Sequence, residues 1–168
     1  YGSRRAFLYL NILILCEVRS LLYMWVLSEN RPTLIKSKIL QATQFVGKGN
    51  IEIKEAQLGA WPSPGLLSTT GYIEARCDKS KIKIGKDTII NNSFVIIADK
   101  KSVEIGSRCL IGPNFFISDS DFHGLEVKNR RNGNYECSHV VIKDDVFIGE
   151  RVSVLKGVTI SEGAVIGS

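Results

Sequence analysis

The segment Val140–Ser168, VVIKDDVFIGERVSVLKGVTISEGAVIGS, has an aliphatic residue at every sixth position. An amphipathic helix repeats about every 3.6 residues and a half-buried strand every 2, so a period of six indicates one short strand and one turn per repeat. Gly149 and Gly157 fall between these strands, where a sharp turn favours a residue without Cβ. The segment therefore predicts a parallel β-helix. The periodic residues are Ile142, Ile148, Val154, Ile160 and Ile166.

The same spacing continues upstream, with a three-residue slip at Asp99 to Ser102. The blocks IKIGKDTIINNSFVII, VEIGSRCLIGPNFFI and VVIKDDVFIGERVSVLKGVTISEGAVIGS resemble the hexapeptide-repeat acyltransferases, in the branch of galactoside, maltose and polysaccharide O-acetyltransferases. The resemblance covers about Ile82 to Ser168, with a degenerate lead-in from about Ile39. It implies a left-handed β-helix of triangular section, usually a homotrimer, with acetyl-CoA bound in clefts between neighbouring subunits.

The amino-acid composition is typical of a folded globular protein. The 168 residues, 44% apolar and 23% charged, suit one folded domain with a short appendage. A net charge of +5 favours an anionic ligand or surface, such as coenzyme A, an anionic glycan or lipid headgroups. Nucleic acid is disfavoured because the chain has no Arg/Lys stripe with interleaved aromatic residues. The four cysteines show no CxxC spacing, and Cys109 occupies an inward repeat position, so we predict a reducing compartment.

We predict two parts of the chain: a mainly apolar helical segment with a linker at 1–35, and the β-helix domain at 36–168, which lacks the family's last coil. The helix, Arg4 to Leu27, carries Glu17 and Arg19 near its middle, which disfavours a span across a membrane. It also lacks the cleavage site of a signal peptide. Two interpretations stay open: contact with the inner face of the membrane, or packing on the β-helix or a neighbouring subunit. The predicted location is cytoplasmic.

A long loop breaks the repeat at 118–139, SDSDFHGLEVKNRRNGNYECSH, and contains both histidines of the protein. Acetyl transfer to a hydroxyl needs a base that is neutral near pH 7, which makes His123 the candidate general base. Its DFHG segment also resembles the catalytic-histidine loop of the sugar O-acetyltransferases. Asp119 or Asp121 could orient the imidazole, or could form a solvated turn. His139 is more typical of a surface residue beside the strands.

The resemblance implies further site residues. Asn91 and Asp99 match acceptor-binding positions, although both residues are also common at turns. Arg130 and Arg131 could contact an anionic acceptor or the nucleotide end of the cofactor, or could be solvated. The positions that match the acetyl-CoA groove are Phe147, Gly149, Glu150, Lys156, Gly157, Gly167 and Ser168.

The predicted function is acetyl-CoA-dependent O-acetylation of a sugar hydroxyl in a bacterial capsule, O-antigen or exopolysaccharide, or in its precursor, by direct transfer. Two other enzymes stay open, an amino-sugar N-acetyltransferase and a serine O-acetyltransferase. A non-catalytic β-helix that serves assembly is the alternative from another class. The zinc-dependent carbonic anhydrase that shares this fold needs three histidine ligands, whereas the chain has two, so no metal is expected.

Overall fold

A computed structural model describes residues 2–168. Over this range the chain forms one α-helix, α1 at Gly2–Trp25, then seventeen short strands and one 3₁₀ turn at Val127–Asn129. The helix segment contains no proline and has glycine only at its first position, so nothing in its interior breaks the helix.

Each strand pairs with the third strand after it, so the strands form three parallel sheets. Sheet 1 contains β1 (Thr33–Ile35), β4 (Asn50–Lys54), β7 (Lys81–Ile84), β10 (Ser102–Ile105), β13 (Val140–Ile142) and β16 (Thr159–Ile160). Sheet 2 contains β2 (Lys38–Ile39), β5 (Gln57–Leu58), β8 (Ile89–Ile90), β11 (Leu110–Ile111), β14 (Phe147–Ile148) and β17 (Val165–Ile166). Sheet 3 contains β3 (Thr43–Val46), β6 (Gly71–Ala75), β9 (Val95–Ala98), β12 (Phe116–Ser118) and β15 (Ser153–Val154). The corners between them are called corner 1–2, corner 2–3 and corner 3–1. The predicted parallel β-helix is confirmed.

Register between coils places the periodic aliphatic residues inside. Ile84 pairs with Ile105, and Ile105 with Ile142, and all three are at most 2% exposed. Thr88 is a polar residue at an inward position of the repeat and is also buried, because its hydroxyl donates to the Gly106 carbonyl at 2.7 Å and accepts the Cys109 N–H at 3.1 Å. Cys109 is buried in the core as predicted.

Corner 1–2 has the same backbone conformation in successive coils. Asp87, Arg108 and Asp145 all have φ of 57° to 58°, in the left-handed region. That region costs a residue with a side chain roughly 1–2 kcal/mol, and Asp tolerates it better than most. The Asp145 N–H donates to the Ser107 carbonyl at 2.9 Å, and the Arg108 guanidinium reaches Asp145 at 2.7 Å. Bonds between coils thus help to offset the backbone strain.

One predicted boundary needs correction. The predicted linker contains β1, which pairs with β4 through Leu34 and Ile53, so the β-helix begins at Thr33 and not at residue 36. β1 lies before the degenerate lead-in, where the period of six is not kept. A long insert at 59–70 follows β5 at corner 2–3.

Candidate functional site

The loop at 119–139 is an expansion of corner 3–1, between β12 and β13. Its base is an antiparallel pair of chain segments, with a β-bridge between Ser120 and Cys137. The Asp121 N–H donates to the Glu136 carbonyl at 3.2 Å, and the Ser138 N–H donates to the Asp119 carbonyl at 2.9 Å. The two ends of the loop are therefore tied to each other, and the residues between them project from a rigid base.

Asp119 fastens this base to the preceding coil. Its carboxylate is fully buried and accepts the backbone N–H groups of Asp99, Lys100 and Lys101 at 2.7, 3.2 and 2.6 Å. These donors belong to the slip that the sequence shows at Asp99 to Ser102, where the chain leaves the regular pairing of strands. Asp119 is thus occupied by backbone donors and does not orient the imidazole of His123 in this structure.

Phe122 sets the direction of the chain just before His123. Its φ is +59°, unusual for a bulky residue, and the His123 N–H closes a tight turn on the Asp121 carbonyl at 2.7 Å. The Arg76 guanidinium stacks over the Phe122 ring at 5.1 Å and is itself held by Glu74 at 2.7 and 3.2 Å. The hydrogen bond to Glu74 raises the pKa of Arg76, which keeps its charge. Strain of this kind persists where the surroundings fix it, typically at functional sites.

His123 is exposed, and its Nδ1 lies 3.2 Å from the carbonyl oxygen of Arg130. A carbonyl oxygen can only accept, so Nδ1 carries the proton and Nε2 carries the lone pair. His123 lines two adjoining recesses of about 290 and 480 Å³, and Arg130 and Arg131 line the larger one. The structure thus brings a base-competent imidazole beside two predicted acceptor-binding residues.

Asp121 lines the same two recesses but pairs with a cation from the next coil. Its carboxylate lies 3.3 Å from Lys156 Nζ, which also lies 3.5 Å from Glu136. The hydrogen bond to Asp121 raises the pKa of Lys156. Lys156, predicted to bind the cofactor, therefore lies at the loop, and the carboxylate predicted to orient the imidazole pairs with it instead.

Asp99 is 1% exposed, which removes it from contact with an acceptor in this structure and corrects its predicted role. Its Oδ2 accepts the Ser120 hydroxyl at 3.0 Å, and its Oδ1 lies 3.5 Å from Arg76. The sequence suggested an exposed turn residue, but the loop base covers this position. Asp99 therefore supports the loop from beneath.

Asn91 lines neither of the recesses beside His123, and it lies at corner 2–3. The sequence did not single out its neighbour Asn92, which is fully buried. The Asn92 amide accepts the Ala60 N–H at 3.1 Å and donates to the carbonyls of Ala60 and Pro64 at 3.1 and 2.9 Å. Asn92 thereby anchors the insert at 59–70. A single buried amide has no sequence signal that separates it from the partly buried one beside it.

The predicted cofactor residues lie at two different corners of the chain. Phe147 projects from sheet 2 and is 49% exposed, and next to it corner 2–3 carries Gly149, Glu150, Gly167 and Ser168. A Cβ on Gly149 would lie 3.2 Å from the backbone nitrogen of Ser168, so successive coils stack closely here. Lys156 and Gly157 lie at corner 3–1, on the side of the loop. A single chain therefore does not gather all seven into one groove.

His139 lies before β13, exposed, with Nδ1 2.7 Å from the Ser102 hydroxyl. Within residues 2–168, no group of three His, Cys, Asp or Glu side chains is placed to hold a metal ion.

The chain is similar to several known acetyltransferases. No protein-family model matches the chain. It is 32% identical to a galactoside O-acetyltransferase of Escherichia coli K12 over 109 residues, 65% of this chain and 49% of that protein. It is 34% identical to a polysialic acid O-acetyltransferase of Escherichia coli O1:K1 / APEC over 79 residues, 46% of this chain and 25% of that protein. The chain thus spans a quarter to a half of the length of these curated relatives.

Among solved structures, the chain is similar to a hexapeptide-repeat-containing acetyltransferase of Vibrio cholerae O1 biovar eltor, complexed with acetyl-CoA. The TM-score is 0.52 at 21% identity, over 92% of this chain and 72% of that one. At this level of identity, the likeness supports the fold alone.

Proposed function

We propose that the chain is a hexapeptide-repeat acyltransferase of the sugar and polysaccharide O-acetyltransferase branch, and that it transfers the acetyl group of acetyl-CoA to a sugar hydroxyl. The acceptor is a bacterial surface polysaccharide or its precursor. The observation that carries the proposal is the imidazole of His123, exposed on a rigid loop base with its proton held at Nδ1 by the Arg130 carbonyl.

His123 Nε2 removes the proton of the sugar hydroxyl as that oxygen attacks the thioester carbonyl. An ester bond forms, the carbon–sulfur bond breaks, and the imidazolium returns the proton to the departing thiolate, which leaves as coenzyme A. A positioned base of this kind contributes about 10² to 10⁴-fold to the rate. The Arg130 carbonyl stabilises the imidazolium while it carries the second proton, because the Nδ1–H bond is then charge-assisted.

An anionic glycan fits the acceptor recess best. Arg130 and Arg131 are exposed on the 480 Å³ recess that His123 lines. Guanidinium groups match carboxylates and phosphates in two-point hydrogen bonding. The net charge of +5 favours the same class of acceptor. The relative that acts on polysialic acid has an acceptor with a carboxylate on each sugar, which supports this choice over a neutral galactoside.

Acetyl-CoA would lie against Phe147 and the small residues of corner 2–3, where Gly149 and Gly167 carry no side chain that would obstruct a thin pantetheine arm. His123 lies at corner 3–1, so a complete site needs corners from two copies of the chain. A row of exposed apolar side chains runs down sheet 2, a surface that a neighbouring subunit would cover. A homotrimer is therefore part of the proposal. The row is Ile89, Leu110, Phe147 and Val165.

The test is release of the coenzyme A thiol from acetyl-CoA by the intact natural protein, with neutral galactosides and sialic acid oligomers as parallel acceptors. We expect acceptor-dependent release with the anionic oligomers, and a loss of about 10² or more in His123→Ala. His139→Ala is the matched control and should retain activity. Release that is unaffected by His123→Ala would reject the base. Binding of acetyl-CoA without release from any acceptor would reject the proposed acceptors, and failure to bind acetyl-CoA would favour the non-catalytic alternative.

A further inference from the structure

The outward side of α1 is a broad apolar surface. Along the helix and the two residues after it, twelve large apolar side chains are at least 45% exposed. Phe7, Ile14, Val18, Leu21 and Trp25 are spaced three, four or seven residues apart and share one side of the helix, which we call the outer face. Only 17% of the most apolar 18-residue window, within Arg4–Trp25, is buried. The helix of a soluble core would be mostly covered.

The opposite side of α1 is fixed to the β-helix. Ile12 and Cys16 pack against Leu66 in a small core of their own. The Ser20 hydroxyl donates to the Ile39 carbonyl at 2.9 Å, and the Arg19 guanidinium donates to the carbonyls of Leu66 and Thr69 at 3.0 and 3.1 Å. These contacts hold α1 flat along the domain. Although the helix is long and apolar enough to cross a bilayer, in this position it presents its outer face sideways.

Basic side chains stand at both ends of the outer face. Arg4 and Arg5 are exposed in the first turns. At the other end, the Arg31 guanidinium donates to the Met24 carbonyl at 2.8 Å and stacks over the Trp25 ring at 5.3 Å. Glu17 is the helix's one acidic residue. A second copy of the helix would bring arginines against arginines in either direction, Arg4 against Arg4 when parallel and Arg4 against Arg31 when antiparallel.

We propose that α1 docks the protein onto an anionic bilayer surface, with the outer face immersed at the level of the headgroups and upper acyl chains. Arg4, Arg5 and Arg31 then contact acidic headgroups, and Trp25 lies at the interface that its ring prefers. The docking does not depend on the acetyl-transfer chemistry.

Flotation of the intact protein with vesicles tests the proposal. We expect the protein to float with vesicles of phosphatidylcholine and phosphatidylglycerol, more weakly at high salt, and not with phosphatidylcholine alone. Arg4→Gln combined with Arg5→Gln should bind about 30-fold more weakly. Val18→Glu should bind at least about tenfold more weakly, since it places a charge in the outer face. Val127→Glu is the matched control, because Val127 is 79% exposed on the loop and far along the chain from α1.

Fluorescence gives a second readout. The chain has two tryptophans, so Trp61→Phe leaves Trp25 as the reporter. Its emission should shift to the blue with anionic vesicles and be quenched by lipids brominated on the acyl chains. Absence of flotation by the wild type, or equal binding by Val18→Glu and Val127→Glu, would overturn the proposal. A smaller oligomer in Val18→Glu, measured by light scattering, would overturn it in favour of a second copy covering the outer face.

Discussion

The imidazole Nδ1 of His123 lies 3.2 Å from the carbonyl oxygen of Arg130, seven residues later in the same loop. This contact selects the tautomer whose Nε2 can accept a proton. In many base-orienter pairs a carboxylate does this work. Here a backbone carbonyl orients the imidazole, so the fold of the loop itself determines whether the imidazole can act as a base.

His123→Asn separates orientation from proton transfer. The asparagine amide can still donate to the Arg130 carbonyl, but it cannot take a proton from a hydroxyl. We expect kcat to fall by about 10² to 10⁴ with little change in the thermal unfolding midpoint. Thiol release at saturating acetyl-CoA and a melting curve measure the two quantities. His139→Asn serves as the control and should keep its activity; near-normal kcat in His123→Asn would mean that another group is the base.

Asp119→Ala should lower the free energy of unfolding of the protein. The substitution leaves the N–H groups of Asp99, Lys100 and Lys101 without their buried acceptor. We expect the free energy of unfolding to fall by about 2 to 4 kcal/mol, measured by urea denaturation. The free energy of unfolding of Asp119→Asn should lie between those of the wild type and Asp119→Ala, because the asparagine amide oxygen still accepts hydrogen bonds.

The alternative role of Asp119 predicts a different pattern. If its carboxylate oriented the imidazole, kcat would fall by about 10⁴ while stability stayed close to that of the wild type. Activity measured under conditions where Asp119→Asn remains folded distinguishes the two roles.

The β-helix and the site of the loop could be predicted because each coil repeats the same physical demand. Residues such as Ile84, Ile105 and Ile142 stack in register and must all be apolar, so the period of six appears in the sequence. The break at 118–139 was equally visible, and β12 and β13 flank it at Ser118 and Val140. The first strand, β1, was missed because the period of six is not kept at this end of the β-helix.

The contacts within the site could not be predicted from the sequence, because they depend on how successive coils stack. Asp119 binds donors about twenty residues earlier, which become neighbours only after one full coil. A signal did exist: the slip at Asp99 to Ser102 removes N–H groups from the regular pairing, and buried N–H groups need an acceptor. The orientation of His123 had no such signal, since any residue at position 130 supplies a carbonyl.

Asn92 and its neighbour Asn91 form a natural pair for a test of the insert at 59–70. Asn92→Ala removes the buried amide that bonds Ala60 and Pro64, so we expect a loss of about 2 to 3 kcal/mol in unfolding free energy. Limited proteolysis should cut the insert of this variant first. Asn91→Ala removes one acceptor, since Asn91 Oδ1 accepts the Asn92 N–H at 2.7 Å, so it should cost about 1 kcal/mol or less, and it should lower kcat/KM if that side chain contacts the acceptor. Equal destabilisation by both substitutions would contradict the assignment.

Arg108 and Asp145 link neighbouring coils at corner 1–2, and their contribution should depend on pH. The hydrogen bond from Arg108 lowers the pKa of Asp145 below its ordinary value of 3.8. A carboxyl with a lower pKa in the folded state stabilises the protein above the unfolded-state value, and that stabilisation is lost as the pH falls through the folded-state value.

Unfolding midpoints of the wild type and Arg108→Gln should therefore differ by a constant amount from about pH 5 to 8 and converge below about pH 3. The difference should be small, because the pair is exposed and screened by salt. Arg151→Gln is the matched control, since the Arg151 side chain pairs with the adjacent Glu150 within one corner. A difference between wild type and Arg108→Gln that persisted undiminished to pH 2 would show that Arg108 stabilises the corner by packing, and not through the charge of Asp145.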